Sequence, residues 1–189
     1  MIINNFIDLL LDFTKLKIIF QMNINGIWQR FTHIFFRPKV ELEEIRGETG
    51  LMGEAYLSLF IFCFLLGLSN IRTGILNVVS ETAVWYVATL IATFATWSLA
   101  PKFAAVTTWA KSLKMNIFVV LPILLCIMVA NVIGYRLVLL IAGLIYSVYL
   151  LYFGIKIIFM PKEQQEIPYT LTALLVGALS NYIARVLIP

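Results

Sequence analysis

Charge is scarce in this sequence, and so are the side chains that usually do chemistry. The 189 residues hold one histidine, two cysteines, 14 Lys and Arg, and 10 Asp and Glu. A single histidine, His33, cannot build a histidine-based metal cluster within one chain, and a serine–histidine pair would need a serine delivered to that one position. His33 is expected on the polar face of an interfacial helix. Cys63 and Cys126 both lie in apolar runs, where a thiol behaves as a small hydrophobe, so neither a disulfide framework nor a zinc site follows. There is no glycine-rich phosphate loop and no pair of carboxylates within an apolar run. The chain is therefore read as a non-enzyme with no catalytic residue, no metal and no cofactor.

Apolar residues fill that space. They make up 61% of the chain, and the mean hydropathy is +0.95, far from the mix of a soluble domain. The net charge of +4 would raise nucleic acid as a partner in a soluble protein, but here the basic residues sit in short loops. That placement is the signature of membrane topology, and no nucleic-acid partner is expected.

The first 22 residues carry Ile2, Phe6, Leu9, Phe13, Leu16 and Phe20 at helical spacing, opposite Asn4, Asp8, Asp12 and Lys15. Two aspartates in this stretch argue against a cleaved signal peptide, so the segment is expected to be retained. After Asn25 and Gly26 a second amphipathic stripe runs through Ile27, Trp28, Phe31, Ile34 and Phe35. Pro38 then interrupts, since proline lacks an amide donor and pushes its neighbour out of the helix. A short charged helix should follow and stop at Gly47 or Gly50. Residues 1–53 thus read as one interfacial, cytoplasmic region, with Trp28, Phe31 and Phe35 seated in the membrane surface and Arg30, Arg37 and Lys39 meeting anionic headgroups.

A spanning helix needs about 20 mostly apolar residues. Residues 54–189 hold five such tracts, near 54–71, 82–100, 117–133, 137–155 and 169–188. The expected fold is all-α: a polytopic bundle of five transmembrane helices preceded by amphipathic interfacial helices. Ser80-Glu81-Thr82 resembles a helix start for the second span, and Pro122 should kink the third. Only Gly134, Tyr135 and Arg136 separate the third and fourth, which forces an antiparallel hairpin. With the N-terminus inside, eleven Lys and Arg fall on the cytoplasmic side and three, Arg72, Arg136 and Arg185, outside. The asymmetry predicts a cytoplasmic N-terminus and an external C-terminus.

Small residues recur on single helix faces: Ala88, Ala92 and Thr96 in the second span, and Gly143, Ser147 and Gly154 in the fourth. Such faces bring helix backbones close together, and packing is preferred over a pore lining. Tyr146 and Tyr149 share one side of the fourth span, and their hydroxyls need partners in hydrocarbon. Asn131, Asn181 and Arg185 lie toward the outer half and, with the two tyrosines, form a candidate polar cluster. No ionisable residue occupies the middle of any span, whereas ion-coupled carriers usually keep one there.

Three stretches together resemble the Ypt-interacting protein (Yip) domain family in its short bacterial form. They are Phe35-Phe36-Arg37-Pro38-Lys39 followed by Leu42-Glu43-Glu44-Ile45, then Leu121-Pro122 in the third span, then the tyrosine-rich run from Ile145 to Gly154. The resemblance covers roughly Phe35 to Pro189 and implies a five-helix bundle with a cytoplasmic N-terminus in the bacterial cytoplasmic (inner) membrane. Eukaryotic members are associated with Rab-type GTPases, self-association and membrane traffic or curvature. This chain lacks their long polar N-terminal region, which makes a GTPase the weaker expectation; membrane lipids, a second copy of the chain or another membrane protein are the expected partners. The leading functional expectation is a non-enzymatic organiser or adaptor that binds lipid or protein through its N-terminal helices. The alternative is a small channel or carrier with a path lined by the second, fourth and fifth spans.

Overall fold

In the computed structural model the described residues are Thr32, His33, 35–47, 52–71, 74–133 and 135–188. All of the regular structure among them is helical. The chain divides into two compact units, Met1–Glu41 and Leu42–Pro189. The first helix, α1, spans Pro38–Gly47. Pro38 takes its first position, where the missing amide is no loss because that donor has no partner inside a helix anyway. The helical path upstream breaks at Arg37, although the Arg37 amide still donates to His33 O at 2.7 Å.

Five helices form the second unit after α1: α2 (Met52–Ser69), α3 (Ile75–Leu99), α4 (Trp109–Ile133), α5 (Arg136–Gly154) and α6 (Glu166–Leu187). A 3₁₀ turn, Ala100–Phe103, extends α3, and a π-helical turn, Ile155–Phe159, extends α5. Four stretches are long and apolar enough to cross a membrane: Ile75–Phe103, Trp109–Ile133, Arg136–Phe159 and Glu163–Leu187. They are compatible with an integral membrane protein. The apolar part of α2, Ala55–Ser69, is shorter. Large apolar side chains face outward all along these helices, among them Leu76 at 85% exposure and Leu175 at 67%. A water-facing surface rarely carries so continuous an apolar coat; a lipid-facing one requires it.

α4 lies against α5, α3 against α6, and α2 against both α3 and α4. The α2–α4 seam is built from Leu59, Cys63 and Leu66 against Leu113, Ile117 and Leu124. Close approach depends on glycine at two seams. A Cβ on Gly67 would meet Thr82 Oγ1 and stand 2.6 Å from Val78 O, and one on Gly143 would stand 3.0 Å from Cys126 Sγ and 3.2 Å from Pro122 O. Pro122 itself lies inside an unbroken α4.

The second span begins earlier than its polar residues imply. α3 starts at Ile75, after Gly74 with φ +115°, so Ser80, Glu81 and Thr82 are interior rather than capping residues. Their side chains serve other partners: Thr82 Oγ1 donates to Val78 O at 2.7 Å, and Glu81 binds Arg185. The third span likewise begins at Trp109, two turns before its apolar run.

Candidate functional site

Near the Trp109 end of α4 a buried polar ladder joins three helices. Thr89, Thr93 and Thr96 follow one another along α3, all buried. Each returns its hydroxyl to the carbonyl one turn back, at 2.7 to 2.9 Å, which keeps a polar group satisfied in apolar surroundings. Thr96 Oγ1 also lies 3.1 Å from Ser112 Oγ and accepts from Asn116 Nδ2 at 2.9 Å. From α6, the hydroxyl of fully buried Tyr169 donates to Thr96 O at 2.7 Å. The Tyr169 ring stacks on Phe103, with centroids 4.7 Å apart, and leans on Phe159 at 5.7 Å. The 3₁₀ and π turns thereby close this end of the bundle around one side chain. A further tie joins the segment after the 3₁₀ turn to the π turn, Val106 N donating to Phe159 O at 3.1 Å.

Beyond the ladder lies a cavity of about 260 Å³ between α3, α4, α5 and α6. Small side chains leave this space open: Ala88 and Ala92 on α3, Ala173 and Gly177 on α6. Its polar lining consists of Thr89, Asn116, Ser147 and Asn181, and no charged residue faces it. Two polar atoms there, Ser147 Oγ and Asn181 Nδ2, are buried without a hydrogen-bond partner.

The opposite end carries two further polar groups. Arg185 reaches Glu81 with both terminal nitrogens, at 3.1 and 3.3 Å, and its Nε donates to Asn181 Oδ1 at 3.1 Å. Asn131 at the end of α4 donates to Ser69 Oγ at 2.9 Å and Asn70 Oδ1 at 3.0 Å, at the end of α2. The residues grouped from sequence as one cluster are therefore distributed. Asn181 and Arg185 meet, Asn131 serves α2, and Tyr146 stacks on Tyr149 with ring centroids 5.8 Å apart.

All six small residues of the second and fourth spans are buried, with different surroundings. Ala88 packs in a cluster with Ala184. Gly143 and Gly154 abut Cys126 and Met115 of α4. Ala92 and Ser147 line the cavity, and Thr96 is the hub of the ladder. Sequence reasoning did not single out Ser112, Asn116 or Tyr169. Ser112 and Asn116 stand one turn apart near the start of α4, a spacing that marks a shared polar face.

At the other unit, Phe35, Phe36, Arg37, Lys39 and Val40 are all exposed, Phe36 to 83%. His33 Nδ1 lies 3.2 Å from Glu41 Oε2. Trp28, Arg30 and Phe31 lie outside the described residues. No family model, no curated protein and no solved structure matches the chain.

Proposed function

We propose that this chain is a non-enzymatic membrane organiser or adaptor of the Yip type, with five spans, a cytoplasmic N-terminus and an external C-terminus. The observation that carries it is the exposed Phe35-Phe36 pair beside exposed Arg37 and Lys39. Two aromatic rings next to two cations suit the boundary of an anionic leaflet, where apolar burial and charge attraction add. α2 supplies the fifth span. Its 18 residues reach about 27 Å at 1.5 Å per residue, and a slightly short span is tolerated by local thinning. Phe60, Phe64 and Leu65 face outward from it. Five spans also keep the Lys and Arg asymmetry in phase. Lipid is the first partner of this surface, with a second copy of the chain or another membrane protein assembling on it; a GTPase remains the weaker candidate.

The test is reconstitution into vesicles containing anionic lipid, imaged for shape. The wild-type protein should tubulate or constrict them, and Phe35→Ser with Phe36→Ser should leave them spherical. Unchanged vesicle shape with both proteins would remove the organiser reading.

A second reading, a small channel or carrier lined by α3, α5 and α6, draws support from the cavity between those helices. Its mark would be solute flux from the same vesicles.

A further inference from the structure

The Ser147 hydroxyl and the Asn181 amide nitrogen lack partners, and both residues border one cavity. A serine hydroxyl can turn back to its own helix. Asn181 has less freedom, because its oxygen already accepts from Arg185, and a buried amide donor left unmade is costly in apolar surroundings. Two other polar lining side chains are engaged: the Thr89 hydroxyl donates to Trp85 O, and the Asn116 amide to Thr96 Oγ1 and Ser112 O. Two unused donors thus belong to side chains that border an otherwise largely apolar cavity.

Its shape narrows the occupant. Along α6 the wall runs from Ala173 to Asn181, about 12 Å at 1.5 Å per residue, so the space is a slot parallel to the helices. Asn181 stands at the end nearer Leu187. Leu144 of α5 and Ala178 of α6 border the slot and are also exposed, which places a mouth on the α5–α6 face. An ion or a free carboxylate would find no counter-charge here, and a sugar or amino acid would press several polar groups against an apolar wall. A hydrocarbon chain with one neutral carbonyl matches both the apolar wall and the Asn181 donor.

We infer that the slot binds the acyl chain of a membrane ester lipid, entering sideways between α5 and α6, with the ester carbonyl oxygen accepting from Asn181 Nδ2. The inference shares its site with the carrier reading and rests on binding there, not on passage.

The experiment uses the full-length protein in phosphatidylcholine vesicles doped with a phosphatidylcholine whose acyl chain carries a diazirine. After irradiation, labelled peptides are mapped by mass spectrometry. Gly177 borders the slot and a Cβ there meets nothing within 4 Å, so Gly177→Leu starts into open space and narrows the slot, and Asn181→Leu removes the donor at similar volume. Labelling of the peptides carrying Ser147 and Gly177 should fall at least five-fold in Gly177→Leu and about three-fold in Asn181→Leu. Labelling at outward-facing Leu137 should hold steady as the internal reference. Equal labelling of the slot in all three proteins, or none in the wild type, overturns the inference. Solute flux measured on the same vesicles separates the two ideas. Slot labelling without flux removes the carrier alone, and flux without slot labelling removes the lipid site alone.

Discussion

The phenol of Tyr169 donates to the main-chain carbonyl of Thr96 across 2.7 Å, joining residues 73 apart in sequence. The carbonyl is already an acceptor for the Ala100 amide at the end of α3, so the tyrosine uses its second lone pair and binds α6 to α3 without cost to the helix. Tyr169→Phe should lower stability by about 1 kcal/mol, the usual net worth of one such bond. Tyr169→Ala, which also empties the space between Phe103 and Phe159, should cost about 3–5 kcal/mol. Unfolding of the purified protein in mixed micelles by increasing dodecyl sulfate measures both.

Two glycines should respond in opposite directions to the same added methyl group. Gly67→Ala drives a Cβ against Val78 O and Thr82, and the displaced α2–α3 seam should cost about 1–3 kcal/mol. Gly177→Ala meets open space and gains helix propensity, which should stabilise by about 0.5–1 kcal/mol. Equal effects of one sign in the same unfolding assay would mean the two helix faces do not differ in this way.

Thr96 and Asn116 should behave as a coupled pair, because the Asn116 amide donates to the Thr96 hydroxyl from a different helix. A double-mutant cycle with Thr96→Val and Asn116→Leu should return a coupling of about 0.5–1.5 kcal/mol, the range of interhelical hydrogen bonds in membranes. Additive losses would assign both residues to packing alone.

Reporter domains fused to the two termini should report opposite compartments, N-terminus inside and C-terminus outside, if α2 crosses the membrane with the four longer helices. Termini on one side would leave α2 at the surface and reduce the count to the four long spans.

The long apolar helices were readable because each needs only composition and length. Their starts were not. Ser80, Glu81 and Thr82 have the residue types of a cap, yet a hydroxyl can bond its own helix and a carboxylate can bond a distant arginine, so residue type alone does not mark an end. α2 is the ambiguous span for the opposite reason: its apolar stretch, Ala55–Ser69, is too short to declare itself. Asn131 and Asn181 looked alike in sequence, but which partner each meets depends on helix rotation, which one chain's pattern does not encode; Asn131 turns to Ser69 and Asn70. The cavity was invisible for a related reason. It arises where the small-residue faces of α3 and α6 meet, and each face alone reads as ordinary packing.

Lys156 and Tyr152 of the α5 arm both bond Glu166 at the start of α6, at 3.2 and 3.3 Å. Near Asn181, α3 is fastened to α6 through Glu81 and Arg185. Asn181 lies about 22 Å along α6 from Glu166 at 1.5 Å per residue. The Glu166 cluster and the Glu81–Arg185 pair therefore hold α6 near its two ends, and the stretch that borders the cavity lies between them.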